Sequence, residues 1–184
     1  MGVSRGLDPS SGMDFDGIKR SLKIVCNKKD LESNVSIAKL LFDFARPQSW
    51  TAYDNHHRNP LLFGVQREVP MGIQHYVVDG DRGAFQFVYP RSRELTPDEL
   101  HICLSLVYYN HVSEDADFGD FDVEMIDLSR PGFVGPRGGW RAEPHRVPRL
   151  HRLPKAEIAD RAFLNEEADL IYQFLMELAE EPDE

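Results

Sequence analysis

The chain has 184 residues, 41% hydrophobic and 28% charged, and carries a formal net charge of -10. That length gives one globular, soluble domain that buries roughly two thirds of its unfolded surface. No apolar run approaches the roughly 20 residues that cross a bilayer, so no membrane partner is expected.

The N-terminal stretch MGVSRGLDPSSGMD lacks the apolar core of a secretory signal. Residues 1–14 read as a flexible leader and 15–184 as a single α+β domain. LKIVCNKKDL (22–31) follows shortly after. Its apolar half predicts a strand over Leu22–Cys26, turning into a helix capped by Asp30 or Asn34. Asn27-Lys28-Lys29-Asp30 resembles the Asn-Lys-x-Asp guanine motif of GTP-binding proteins. Guanine recognition needs a phosphate cradle as well, and G-x-x-x-x-G-K-[ST] does not occur; the chain has no Gly-Lys dipeptide at all. GTPase activity is therefore argued against.

The helix after Asp30 places Val35, Ala38, Leu41, Phe42 and Ala45 on one face and stops at Pro47. RPQSWTAYDNHHRNP reads as an irregular polar loop, and LLFGVQ (61–66) as a short strand. IQHYVVDGDRGAFQFVYP predicts a hairpin with arms 73–79 and 84–90 around Gly80-Asp81-Arg82-Gly83. Thr96-Pro97-Asp98-Glu99 combines a capping box with Pro at the first helical position. The helix it opens is apolar on two faces, Leu100/Cys103/Leu104/Val107/His111 and Ile102/Leu106/Tyr109, which predicts a buried, central element.

Residues 120–128 alternate as a half-buried strand with carboxylates on its wet face. A Gly/Pro/Arg-rich connection (130–145) leads to HRVPRLHRL, an edge strand because Pro148 fits poorly in a central one. A last helix spans Asn165 to about Ala179, with Leu164, Ala168, Ile171, Leu175 and Leu178 in one stripe. The sum is an α+β fold with a largely antiparallel sheet and about three helices, one central and buried.

Charge is segregated. Residues 114–127 hold seven acids and no base; 130–155 hold seven cations against Glu143; 157–184 hold ten acids and Arg161. The acidic strand would repel itself if left alone, so a cationic partner is expected for its 120–124 row. One candidate surface for a protein partner or phosphate is Arg137, Trp140, Arg141, Arg146, Arg149 and Arg152, since arginines among aromatics pair anions and stack. On that reading, reversing Arg146, Arg149 and Arg152 to Glu leaves the melting temperature nearly unchanged. A second candidate surface is Trp50, Tyr53, His56, His57 and Arg58, rich in interface hot-spot types.

Other constellations are weak. Asp79 and Asp81 belong to the hairpin turn. Cys26 and Cys103 read as small buried thiols, and with no disulfide framework the compartment is a reducing cytoplasm. No histidine pair has helical chelating spacing, and no nucleophile elbow, H-E-x-x-H or C-x-x-C occurs, so neither metal nor cofactor is expected. The functional expectation is a non-enzymatic protein that acts through protein–protein contacts, as an accessory subunit, an immunity-type protein or a regulator. The alternative is a nucleic-acid binder or metal-dependent nuclease-like enzyme using the Arg-rich segment 137–152. Oligomeric state is left open.

Because the phosphate loop is missing, GTP and GDP should not bind. Calorimetry finding a dissociation constant tighter than about 10 μM, roughly -7 kcal/mol, would contradict this.

Overall fold

A computed structural model describes residues 8–9, 12–55, 60–63, 67–70, 73, 75–91, 93–130, 132–134, 140–142 and 145–180. It is a single α+β fold around a five-stranded sheet in the order β1-β4-β5-β6-β9. The strands are β1 (Thr51–Asp54), β4 (His75–Asp79), β5 (Arg82–Tyr89), β6 (Asp122–Asp127) and β9 (Arg149–Leu153). Every pairing is antiparallel except β5–β6. Two small hairpins, β2 (Pro60–Phe63) with β3 (Arg67–Pro70) and β7 (Gly132–Val134) with β8 (Trp140–Ala142), complete the strands among the described residues. The α-helices are α1 (Phe15–Val25), α2 (Lys28–Ala45), α3 (Pro97–Val107) and α4 (Arg161–Glu180), one more than the sequence suggested.

The first element corrects the sequence reading: Leu22–Cys26 is no strand but the end of α1 and the turn after it. A short apolar run does not distinguish strand from buried helix. The start signal settles it, because Asp14 caps α1 by accepting from the Gly17 N–H at 2.7 Å. Phe15 meets Phe42 of α2, ring centroids 5.8 Å apart. Cys26 and Asn27 are extended and separate the two helices. Asn27, not Asp30 or Asn34, is the N-cap of α2, and its side chain makes no capping bond. The apolar face predicted for α2 is half-buried to buried, ending at Ala45.

The region read as a polar loop contains β1, which pairs with β4 from Thr51↔Val78 to Asp54↔His75. The hairpin stands where the sequence put it, with a tighter turn: Asp79 pairs with Arg82, and Gly80 alone takes a left-handed φ of 60°. Gly83 lies inside β5 for another reason. A Cβ there would fall on the Phe121 ring, far inside van der Waals contact.

Helices cover both faces of the sheet. On one, Phe85, Val123, Met125 and Leu153 pack with Leu104, Val107 and Val112. On the other, Val77, Ala84, Ile126 and Leu128 pack with Ala45 and Trp50. Residues 123–129 are all buried, so β6 is central and covered on both faces, not half-buried.

The capping box of α3 is formed as expected: Thr96 Oγ1 accepts from the Glu99 N–H, and Glu99 Oε2 from the Thr96 N–H. The chain then widens into a π turn over Tyr108–Val112, which carries Asn110 and His111 inward. Two hydrogen bonds pin the approach to α4 onto this helix. Ser105 Oγ accepts from the Ala159 N–H at 3.0 Å, and the Tyr109 hydroxyl donates to the Ala159 carbonyl at 3.0 Å.

Leu104 is 1% exposed at the centre of the first core. Leu104→Ala should lower stability by about 2 to 5 kcal/mol in urea unfolding, as large-to-small core changes do; a loss below about 1 kcal/mol would contradict the burial.

Candidate functional site

Sheet register builds a polar row across the whole sheet. Asp54 stands opposite His75, His75 opposite Gln86, Gln86 opposite Glu124 and Glu124 opposite Arg152. Strand alternation puts the row on the α2 side, in line with Ala84 and Ile126. His75, Gln86 and Glu124 are buried. The Gln86 amide donates to Glu124 Oε2 at 2.7 Å. Arg152 donates from both Nε and Nη2 to Glu124 Oε1, and its Nε lies 3.6 Å from Asp122. Arg82 reaches Asp122 from the other side at 3.1 Å.

The cationic partner expected for the acidic strand is therefore internal. Arg152 answers Glu124 and Asp122 directly, and both Glu124 oxygens have a donor. The carboxylates do not form a solvated row, and Glu124 is 2% exposed. Reversing Arg152 would set a carboxylate against a buried one, so the expectation that such a change spares stability does not survive the geometry.

At the end of β6 a second cluster gathers on the α3 side. Arg149 donates to Asp127 Oδ2 at 2.6 Å and to Ser129 Oγ at 2.8 Å, and also pairs with Glu94. The Ser129 N–H donates to Asp127 Oδ1 at 2.7 Å. Burial pushes the Asp127 carboxyl up, but the Ser129 N–H and hydroxyl and the Arg149 guanidinium outweigh it and hold the group below its usual range. Arg146 donates to three carbonyls, those of Leu128, Pro90 and Arg91, at 2.6 to 3.0 Å.

Of the first candidate surface, then, Arg146, Arg149 and Arg152 are engaged in holding β9 and its approach to the sheet. Trp140 and Arg141 lie in β8, and Arg137 falls outside the described residues. The second surface divides as well. Trp50 is a core residue, 6% exposed against Phe44. Tyr53 is 45% exposed on β1, and its ring stacks on Tyr76 at 5.3 Å. His56, His57 and Arg58 lie outside the described residues. Asp79 accepts from Ser49 Oγ at 2.8 Å, which is a turn-anchoring contact. Among the described residues no three His, Cys, Asp or Glu side chains are placed to share a metal ion.

Two residues of the row escaped the sequence reading, His75 and Gln86. The available signal was a polar residue at an inward position of each hairpin arm, HYVVD and FQFVY. A cleft of about 410 Å³ also opens between the segment before α1 and α2, lined by Asp8, Met13, Phe15, Lys39, Phe42 and Arg46 among others.

The family model described as SocB, sliding clamp-binding bacterial toxin, matches residues 2–137 of the 184. No curated protein and no solved structure matches the chain.

Burial lowers the pKa of His75 to about 4, against opposing pulls from Gln86 and the negative charge of Asp54. A folded-state pKa below the unfolded one means that the unfolded chain binds the extra proton first. The stabilisation is thus present above about pH 6.5 and is lost as pH falls towards 4, by roughly 3 kcal/mol. Stability curves measured across that window should slope accordingly and flatten in His75→Gln; an unchanged slope in the variant would refute the assignment.

Proposed function

We propose that this chain, which belongs to the SocB family of sliding clamp-binding bacterial toxins, works by seating itself on a sliding clamp. The observation that carries the reading is the family match, which spans α1 to β7 and therefore most of the sheet. It supports protein–protein contact as the mode of action. An accessory, immunity-type or regulatory role gives way, in this reading, to that of a toxin. A clamp held by the chain is unavailable to whatever else needs the same surface, and the place of action is the cytoplasm.

The docking surface in this reading is β1 with its Tyr53, to which the sequence adds His56, His57 and Arg58, outside the described residues. β1 is an outer strand of the sheet, and no described strand pairs with its other edge, which is where a partner strand could add backbone hydrogen bonds. Tyr53 supplies an aromatic hot-spot side chain whose orientation is already set by stacking on Tyr76, which lowers the entropy lost on binding. β1 lies within the matched residues, whereas Arg146, Arg149 and Arg152 lie beyond them and are taken up by internal acids and carbonyls.

Calorimetry of the full chain against the purified sliding clamp of the organism that encodes it is the test. The expected dissociation constant is micromolar or tighter, about -8 kcal/mol, and Tyr53→Ala should weaken it at least about tenfold, or 1.4 kcal/mol. No complex with the wild type would sink the clamp reading. Wild-type binding with an unaffected Tyr53→Ala would sink the surface alone.

A further inference from the structure

The junction of α1 and α2 is out of keeping with the rest of the fold. α1 ends on Ile24 and Val25, 84% and 77% exposed, more than any other large apolar side chain among the described residues. Around them Lys19, Arg20, Lys23, Lys28 and Lys29 are exposed, and none forms an ion pair with a described residue. Elsewhere the described arginines and lysines mostly hold carboxylates or carbonyls.

Local structure accounts for Lys23, which suits the last turn of α1, but not for the lysines after it. Lys28 and Lys29 occupy the first turn of α2, where the helix dipole favours acids, and Asn27 leaves that end without a side-chain cap. A knob of two aliphatic side chains among cations that pair with no described acid is the anatomy of an interface, with an apolar centre and a charged rim.

A surface of opposite charge exists on the same chain. On α4, Phe163 and Leu170 are 44% and 58% exposed. Seven residues apart, they lie two turns along one stripe, with Glu166 between them and Asp169 beside Leu170. Both acids are exposed, and neither forms an ion pair with a described residue. The stripe belongs to the C-terminal block of ten acids and one base.

We propose that the α1–α2 elbow of one copy docks on the α4 stripe of a second copy of this chain. Docking in both directions relates the two contacts by a twofold axis and closes the assembly at a dimer. Ile24 and Val25 then cover Phe163 and Leu170, while Lys23 and Lys28 face Glu166 and Asp169. A nucleic acid fits the elbow less well, because its exposed centre is aliphatic and offers no ring for base stacking. β1 and Tyr53 take no part, so the contact is separate from the clamp-binding surface.

Sedimentation equilibrium of the full chain from about 1 to about 100 μM tests this, a window centred on affinities typical of modest dimers. The wild type should reach twice the 21.1 kDa of one chain. Lys23→Glu with Lys28→Glu should weaken the dimer at least tenfold, as should Glu166→Lys with Asp169→Lys. All four changes together should restore it, since the charges are exchanged across the contact. Circular dichroism checks that each variant is folded. A wild type that stays monomeric, or charge-swapped pairs that do not rescue each other, would overturn the proposal. So would an Ile24→Asp variant that loses the clamp while a monomeric wild type holds it, because the elbow would then belong to the clamp. Binding of a DNA duplex by the monomeric wild type, lost in the Lys23/Lys28 variant, would assign the elbow to nucleic acid instead.

Discussion

A carboxylate carried into the middle of a sheet costs several kcal/mol unless its oxygens find donors there. Glu124 sits in that position on β6, and each neighbouring strand supplies a residue that donates to it, Gln86 of β5 and Arg152 of β9. The arrangement fixes register. Sliding β5 or β9 by one residue would turn Gln86 or Arg152 to the opposite face and leave the acid buried without that donor. The parallel β5–β6 pairing and the antiparallel β6–β9 pairing are thus tied to one buried charge, in addition to the apolar side chains on either face.

The same requirement explains why three arginines of one short segment are engaged within the fold. Arg152 completes the row, Arg149 answers Asp127 and Ser129, and Arg146 gathers the carbonyls of Leu128, Pro90 and Arg91. Together they close the last strand of the sheet onto its centre. Buried pairs of this kind act more through position than through net stabilisation: removing one member exposes the desolvation cost of the other. Among the described cations, Arg146, Arg149 and Arg152 are thus held against groups of the sheet, whereas those at the α1–α2 elbow surround exposed aliphatic side chains.

Several elements could be read from residues alone. The capping box at Thr96, Pro at the first position and a helix apolar on two faces described α3 down to its buried side chains, because those signals act over four or five residues. The hairpin followed from alternation and a Gly-Asp turn. The helix α1 did not, since a short, mostly apolar run such as Leu22–Cys26 suits a strand equally well. Its deciding signal, the Asp14 cap, lies eight residues upstream of the run that drew attention. β1 was hidden for a different reason. An edge strand pairs on one side only and is made here of Thr51, Ala52, Tyr53 and Asp54, with no apolar alternation to announce it.

The candidate site divides along the same line. The sequence by itself determined that the acidic strand and the Arg-rich segment were unfavourable alone and needed opposite charge. It also determined that Trp and Tyr near residue 50 deserved a role. Composition and spacing carry that much, because like charges close in a strand repel wherever the strand goes. Only the tertiary structure decided that the acids and arginines satisfy each other within one chain, that Trp50 is core while Tyr53 is surface, and that Ile24 and Val25 are exposed. Those outcomes depend on which strands become neighbours and which helix covers which face. Such pairings join residues as far apart as His75, Glu124 and Arg152, and no local spacing encodes them.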